Sequence, residues 1–402
     1  MNADQQRLLD PDIQDFLCGS HLPEPTELLL HPHRYPSTWP LPLIAEQIKA
    51  RQKAQKKLPS WWATPGVLFP DALSVEQSSS EATAAFKQTL CPAAETLVDL
   101  TGGLGVDTFF LAQRFQKTHY VEQNPTKAAL AAHNFQQLGA TNITAHAMSA
   151  EDFLRRPRER DTFFYLDPSR RAPDGRRVFL LPDCSPNIVQ LQGQLLRQGI
   201  GILLKTAPLL DIAQALQHLQ HVRRVCVLAH QDECKEVLYE LHPESSESID
   251  LQAVHLKKDG RIDTFTTTWE AEKSLPLLRS DPRAYLYFPH PALMKAGCFR
   301  SVSAQYQLPQ LHAHTHVYTS DDMIPDFPGK AFVCLSVQPF DRKRIKQQWR
   351  NRSATLLVRN FPTSVDRLRQ TLQIRDGGED FLLFTTLQDE KRAVLHLQKI
   401  KS

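Results

Sequence analysis

The stretch Val98-Asp99-Leu100-Thr101-Gly102-Gly103-Leu104-Gly105-Val106-Asp107-Thr108 limits what this chain can fold into more than any other. An apolar strand, Thr96 to Leu100, runs into a glycine-rich turn, and a helix carrying Val106, Phe109, Phe110 and Phe115 follows. Gly103 and Gly105 lack a Cβ, so the chain can turn sharply there and a ligand can approach bare backbone. About twenty residues on, a second strand, Thr118 to Val121, ends in Glu122. A carboxylate at that place can accept hydrogen bonds from both hydroxyls of a ribose. The unit predicts an adenosine-containing cofactor on an α/β sheet.

Three details favour S-adenosylmethionine over a nicotinamide dinucleotide. A dinucleotide turn wants a third glycine three residues after Gly105, and Thr108 stands there. Asp99, at the end of the strand, suits a ligand ammonium or sulfonium and would repel a pyrophosphate. Phe163-Phe164-Tyr165-Leu166-Asp167-Pro168-Ser169-Arg170-Arg171 reads as a fourth strand ending in a polar, proline-stiffened catalytic turn.

These residues carry a resemblance. Asp99 to Gly105 resembles the first motif of class I S-adenosylmethionine-dependent methyltransferases, D-x-G-x-G-x-G, with Thr101 in place of its first glycine. Glu122 looks like that family's ribose acid. Ser149-Ala150-Glu151 resembles the loop after the third strand, with Ser149 where an Asp usually stands near the adenine amine. Asp167-Pro168-Ser169 resembles the fourth motif of amine-methylating members, [D/N/S]-P-P-[aromatic]. Ser169 replaces the second proline, and Arg170 replaces the aromatic that stacks on a flipped base. Further segments are similar to a bacterial methyltransferase family with a C-terminal THUMP-like domain. They are Phe69-Pro70 with Ser74 to Ala84, Leu203 to Asp211, Tyr285 to Pro291, Lys295-Ala296-Gly297, Phe327 to Lys330 and Arg359 to Pro362. The likeness runs from about residue 60 to the end. THUMP domains belong to tRNA-modifying enzymes, so the resemblance implies RNA. It implies a cofactor-contacting set of Asp99, Thr101, Gly103, Gly105, Asp107, Glu122, Gln123, Ser149, Ala150 and Asp167.

The expected fold class is α/β: a Rossmann-like class I methyltransferase sheet with an N-terminal helical segment and a C-terminal α+β, THUMP-like region. The expected divisions are a helical region over 1–75, a cofactor domain over 76–272, a small ferredoxin-like α+β domain over 283–340 and a basic THUMP-like domain over 341–402. A chain of 402 residues has room for about two or three domains. No apolar run approaches the length of a membrane span, and the N-terminus has no signal-peptide pattern. Seven scattered cysteines without a C-x-x-C pair predict reduced thiols, a cytoplasmic setting and no zinc site; Cys184 near the fourth motif reads as a buried, inert thiol. His312, His314 and His316 alternate as on one strand face, but without further ligands they support no metal site. Oligomeric state is not encoded legibly.

The net charge of +3 conceals an asymmetry: residues 341–402 hold 14 Lys/Arg against 7 Asp/Glu. A concentrated basic face is the footprint of a polyanion partner, although solvated helix faces also look like this. A second cluster brackets the fourth strand: Arg155, Arg156, Arg158 and Arg160, then Arg170, Arg171, Arg176 and Arg177. Guanidinium forks there can grip phosphate.

In order, a helix over Leu41–Lys57 precedes Trp61-Trp62, a pair read as packing aromatics on a loop or as a base-stacking platform. Ser74 to Lys87 reads as one helix, with Ser74 as cap and Gln77 completing a capping box. Strands follow at Ile143–Ala147, Thr162–Leu166, Gly201–Lys205 and Val222–Leu228, and Asn124-Pro125 starts a helix that Gly139 stops. Asp259-Gly260 marks a hairpin. The C-terminal region reads as strands at 285–287, 331–337, 354–358, 381–385 and 393–398, with helices at 291–296, 342–350 and 364–372.

The candidate catalytic residues are Asp167, Pro168 and Ser169. Asp167 either accepts a hydrogen bond or proton from the acceptor atom or simply caps the turn. Arg170, Arg171 and Lys205 are candidate substrate contacts; Lys205 reads equally as a salt-bridge partner. The reading is an S-adenosylmethionine-dependent methyltransferase acting on RNA (tRNA or rRNA). The alternatives are a methyltransferase acting on a small molecule or protein, and a non-catalytic cofactor-binding RNA-binding protein.

Overall fold

Alternation of apolar strands with amphipathic helices builds a parallel sheet in the N-terminal half of the chain, in a computed structural model that describes residues 1, 3–19, 21–157, 161–169 and 180–400. Arg158, Arg160, Arg170, Arg171, Arg176 and Arg177 lie outside the described residues. The chain divides into two units: residues 1–223 with 238–246, and residues 224–237 with 247–402.

The first unit opens with helices α1 (Ala3–Arg7), α2 (Pro11–Cys18), α3 (Pro25–Leu30), α4 (Leu41–Lys57) and α5 (Pro59–Ala63). Trp61 and Trp62 therefore lie on a helix rather than a loop. Trp61 is fully buried, edge-on to Phe109 at 5.9 Å, while Trp62 stays partly exposed. The helix expected over Ser74–Lys87 is two helices, α6 (Ala72–Gln77) and α7 (Glu81–Gln88). The reason is the serine run between them. Ser80 leaves helical geometry to cap α7 by accepting the Thr83 N–H, and Asp71, not Ser74, caps α6.

The sheet strands follow: β1 (Thr96–Asp99), β2 (Lys117–Glu122), β3 (Ile143–Ala147), β4 (Thr162–Leu166) and β5 (Gly201–Thr206). Between them run α8 (Val106–Ala112), α9 (Pro125–Gln137), α10 (Ala150–Phe153) and α11 (Ile188–Gln198), and α12 (Ile212–His218) follows β5. Order in the sheet is β3-β2-β1-β4-β5, all parallel. β1, β4 and β5 are buried along their whole length, as strands covered on both faces must be. The order reverses at β1, and in such sheets ligands bind beyond the carboxyl ends of the strands at that switch point. This is the expected Rossmann-like α/β arrangement. A core of Trp61, Phe69, Val75, Val106, Tyr120 and Phe135 ties the helical segment to the glycine turn and to α9.

Beyond it come β6 (Val222–His230) and β7 (Glu233–Leu241). In the second unit β6 pairs parallel with β8 (Asp250–Leu256), and β8 forms the expected hairpin with β9 (Ile262–Thr268) across Gly260 at φ +84°. Helices α13 (Trp269–Ser274), α14 (Pro291–Ala296) and α15 (Phe299–Tyr306) accompany a sheet of β10 (Tyr285–Pro289), β11 (Tyr318–Ser320), β12 (Gly329–Pro339), β13 (Thr355–Arg359), β14 (Asp380–Thr386) and β15 (Arg392–Lys399). Its order is β11-β10-β12-β15-β14-β13. Helices α16 (Arg342–Trp349) and α17 (Val365–Leu372) cover one face through Ile345, Trp349, Leu368 and Leu372.

His312, His314 and His316 do not lie on a strand. They occupy a turn in which His312 hydrogen-bonds Glu390 at 2.9 Å and His316 stacks on Phe299 at 3.6 Å. Among the described residues no cluster of His, Cys, Asp and Glu can hold a metal, and no helix is long and apolar enough to cross a membrane. All seven cysteines are thiols rather than halves of disulfides.

Candidate functional site

The carboxyl ends of β1, β2, β3 and β4 bring the sequence-selected residues to one edge of the first unit. The turn after β1 is shaped by its glycines, each for its own reason. Gly105 caps α8 in the left-handed region at φ +87°, and Gly103 sits at φ +56° with nothing closer to a notional Cβ than the Thr101 carbonyl at 3.7 Å. Gly102, to which the sequence pattern assigns no role, has the tightest neighbour: a Cβ there would lie 2.2 Å from the Tyr120 ring.

Glu122 closes the turn from β2. One carboxylate oxygen accepts the Gly103 N–H at 3.0 Å and the other the Asn124 N–H at 2.8 Å. The Tyr120 hydroxyl donates to the Gly103 carbonyl at 2.6 Å. Gln123 is exposed next in sequence. At the end of β3, Ser149 caps α10, accepting the Asp152 N–H at 3.1 Å, and Ala150 is buried behind it.

Asp99 is 1% exposed and turned inward. It accepts from the Thr101 backbone N–H at 2.9 Å and hydroxyl at 3.2 Å, and from the Thr108 hydroxyl at 2.5 Å. Burial pushes its carboxyl up to about 7 against these hydrogen bonds. Its geometry is that of a brace holding the turn to α8.

Asp107, in the first turn of α8, anchors a set of charges. Its side chain is 11% exposed, with Lys87 at 3.0 Å and Lys205 at 3.7 Å. The hydroxyls of Ser79 and Tyr165 donate to it at 2.8 and 2.7 Å. Burial acts to raise Asp107, but the two ammoniums and the two hydroxyls outweigh it and hold the carboxyl down at about 2. Lys205, at the end of β5, also forms a close ion pair with Asp167. Asp167 in turn donates its backbone N–H to the Thr101 hydroxyl at 2.6 Å. Pro168 is buried, and Ser169 exchanges backbone hydrogen bonds with Ser185 at 2.8 and 3.0 Å. Arg170 and Arg171 lie outside the described residues.

Ser79, Lys87 and Tyr165 were not singled out in the sequence; the resemblance gave the polar residues of Ser74–Lys87 only as a part of the cofactor wall, and Tyr165 only as part of the fourth strand. Lys87 had a legible signal: Thr83, Ala84 and Lys87 share the buried face of α7, where a lysine requires a partner.

A Rossmann-like sheet with a glycine turn, an acid on its second strand and an Asp-Pro turn on its fourth defines a methyltransferase fold. A candidate methyltransferase from Porphyromonas gingivalis W83 is 31% identical over the whole of both chains, with a TM-score of 0.87. The family model for a ferredoxin-like domain matches residues 285–328, and that for a THUMP-like domain matches residues 329–399. The chain belongs to the class I methyltransferase family that carries a C-terminal THUMP-like domain. More distant are an rRNA methylase from Streptococcus thermophilus (15% identity, 40% of this chain and 93% of that one, TM-score 0.30) and an O-methyltransferase from Bacillus cereus in complex with SAH (12%, 48% and 90%, 0.33). No curated protein matches the sequence.

Proposed function

We propose that the chain transfers a methyl group from S-adenosylmethionine to RNA, a tRNA or an rRNA, in a reducing, cytoplasmic setting that suits its thiols. The observation that carries the reading is the convergence of Gly103, Glu122 and Asp167 on the switch-point edge of the sheet. The residues fit the cofactor. Each Glu122 oxygen accepts one backbone N–H and keeps a lone pair for a ribose hydroxyl. The open side of Gly103 gives an adenosine sugar room. Ser149 and Ala150, after β3, are the residues assigned to the adenine ring, and Thr101, Gly105 and Asp107 set the turn and the helix start. When bound, the cofactor supplies a methyl group already activated by its sulfonium, so the protein contributes mainly alignment.

Asp167 and the turn through Pro168 and Ser169 face the acceptor, with Arg170 and Arg171 next in sequence as phosphate contacts. RNA is supported by the THUMP-like match and by charge. Arg342, Lys343, Arg344, Arg350 and Arg352 are exposed on and after α16, and exposed cations that can meet phosphates are the electrostatic mark of a nucleic-acid surface.

Calorimetry with S-adenosylmethionine and its demethylated product tests the cofactor; heat with NAD alone would overturn the reading. Labelled-methyl transfer to RNA from cells lacking the gene tests the substrate, with Asp167→Ala as control. Turnover unaffected by deleting 341–402 would point instead to a small-molecule or protein acceptor. Cofactor that binds but is never consumed would point to a non-catalytic RNA binder.

A further inference from the structure

Four charged side chains alternate in sign through the first unit: Lys87, Asp107, Lys205 and Asp167. The inner end is closed. Lys87 is 0% exposed and Lys205 only 11%, and between them Asp107 takes two hydroxyl donors as well as both ammoniums. Such an array is poor at stabilising a fold, because desolvating the charges offsets much of their attraction. Its geometry has another use. Asp167, at the outer end, is the member most open to solvent, with 37% of its side chain exposed. One of its oxygens, Oδ2, is taken by Lys205, and its backbone N–H is tied to the Thr101 hydroxyl. Among the described residues nothing bonds Oδ1, on a side chain more than a third exposed.

We infer that Lys87, Asp107 and Lys205 are positioning residues that orient Asp167 as a carboxylate, so that the methyl acceptor is a nitrogen or oxygen that bears a hydrogen. The inference rests on the methyltransferase reading above and deepens it. A carboxylate oxygen aimed at the acceptor can only accept a hydrogen bond. An N–H or O–H satisfies it; a ring nitrogen without hydrogen turns a lone pair toward it and is repelled, and a carbon acceptor offers it no hydrogen bond. In the transfer, the acceptor's nitrogen or oxygen forms a bond to the methyl carbon as the carbon–sulfur bond breaks, and that bonding pair stays on sulfur. The acceptor's proton, made acidic by methylation, leaves along the hydrogen bond to Asp167 and passes to water.

The test uses the full-length chain and RNA from cells lacking the gene. Mass spectrometry of the labelled nucleosides should find the methyl on a nitrogen or oxygen that carried hydrogen. A methyl on carbon, or on a ring nitrogen that had none, overturns the inference while leaving the methyltransferase reading intact. A wild-type chain that binds no S-adenosylmethionine fails the reading itself, and the inference with it. The companion variants are Lys205→Met, Lys87→Met and Lys205→Arg. With Lys205 removed, Asp107 and Asp167 lose their shared cation, and Asp99, Tyr165 and Lys87 are the remaining ionisable groups around them. Lys205→Met should lower kcat about a hundredfold with cofactor affinity retained, and its activity should fall off earlier than wild type as pH is lowered. Lys205→Arg keeps the charge and should recover most of the rate and the wild-type pH profile. A Lys205→Met enzyme with wild-type kcat and pH profile, or a Lys205→Arg enzyme no better than it, overturns the positioning role. Should the buried Lys87→Met fail to fold, the Lys205 pair decides alone.

Discussion

Replacing Gly102 with alanine would put a methyl carbon 2.2 Å from Cε2 and 2.4 Å from Cζ of Tyr120. The ring has little freedom to give way. It is fully buried on β2, packed edge-on to Phe135 at 5.3 Å, and its hydroxyl is bonded to the Gly103 carbonyl at 2.6 Å. Overpacking of this kind costs about 1–3 kcal/mol, and the hydrogen bond that a displaced ring would lose adds about 1 kcal/mol. The expected destabilisation of Gly102→Ala is thus about 3 kcal/mol. Gly103→Ala is the internal contrast. Its only penalty is a left-handed backbone at φ +56°, with no crowding neighbour, worth about 1 kcal/mol. Urea unfolding followed by tryptophan fluorescence measures both, since Trp61 is buried in the same unit. In a Tyr120→Val background the added cost of Gly102→Ala should be at least about 1 kcal/mol smaller than in the wild type, because the two residues touch. If Gly103→Ala costs as much as Gly102→Ala, or the cost of Gly102→Ala is the same in both backgrounds, the ring does not shape the turn.

Asp99 makes stability depend on pH. Its carboxyl is raised from 3.8 to about 7 by burial, so the folded state holds that proton more tightly than the unfolded chain. The contribution is complete below the ordinary value and is lost as pH rises toward the raised one. Denaturant unfolding at several pH values in that window should show a decline that Asp99→Asn flattens, and an unchanged slope in the variant would refute it. Glu122→Gln presents an amide NH₂ to one of two backbone N–H groups, and should weaken binding of the demethylated cofactor about tenfold or more by calorimetry. Wild-type affinity would remove Glu122 from the ribose site. Alanine at Arg342, Lys343 and Arg344 should make RNA affinity less sensitive to salt, by about one unit of log–log slope for each phosphate no longer neutralised. Fluorescence anisotropy across a salt series measures it, and a line parallel to wild type would place the RNA elsewhere.

β1, β4 and β5 were legible because each is a short, mainly apolar run beside a glycine or a proline turn, and β3 and β4 match their expected ends. β7 was not. Its sequence Glu233-Cys234-Lys235-Glu236-Val237-Leu238-Tyr239-Glu240-Leu241 carries four charges, so no continuous apolar run marks it as a buried strand. The split between α6 and α7 was hidden for a related reason: Ser78, Ser79 and Ser80 fit a helical count but prefer to cap and to bond sideways. In the site, the glycines, Glu122 and Asp167 stood out because chemistry and spacing coincide there. The helix face of Lys87 calls for a partner, but which one is not local: Lys87 and Ser79 reach Asp107 only through tertiary packing, at sequence distances of 20 and 28 residues. The histidine turn misled because alternation along the sequence imitates a strand face wherever the backbone happens to be irregular.

The first unit also recruits residues 238–246 after the chain has already given residues 224–237 to the second. On the ribosome, therefore, the first unit cannot finish folding when its last crossover helix emerges; it must wait while the polypeptide detours and comes back. A gene fragment cut after residue 223 would yield an unfinished product prone to clumping.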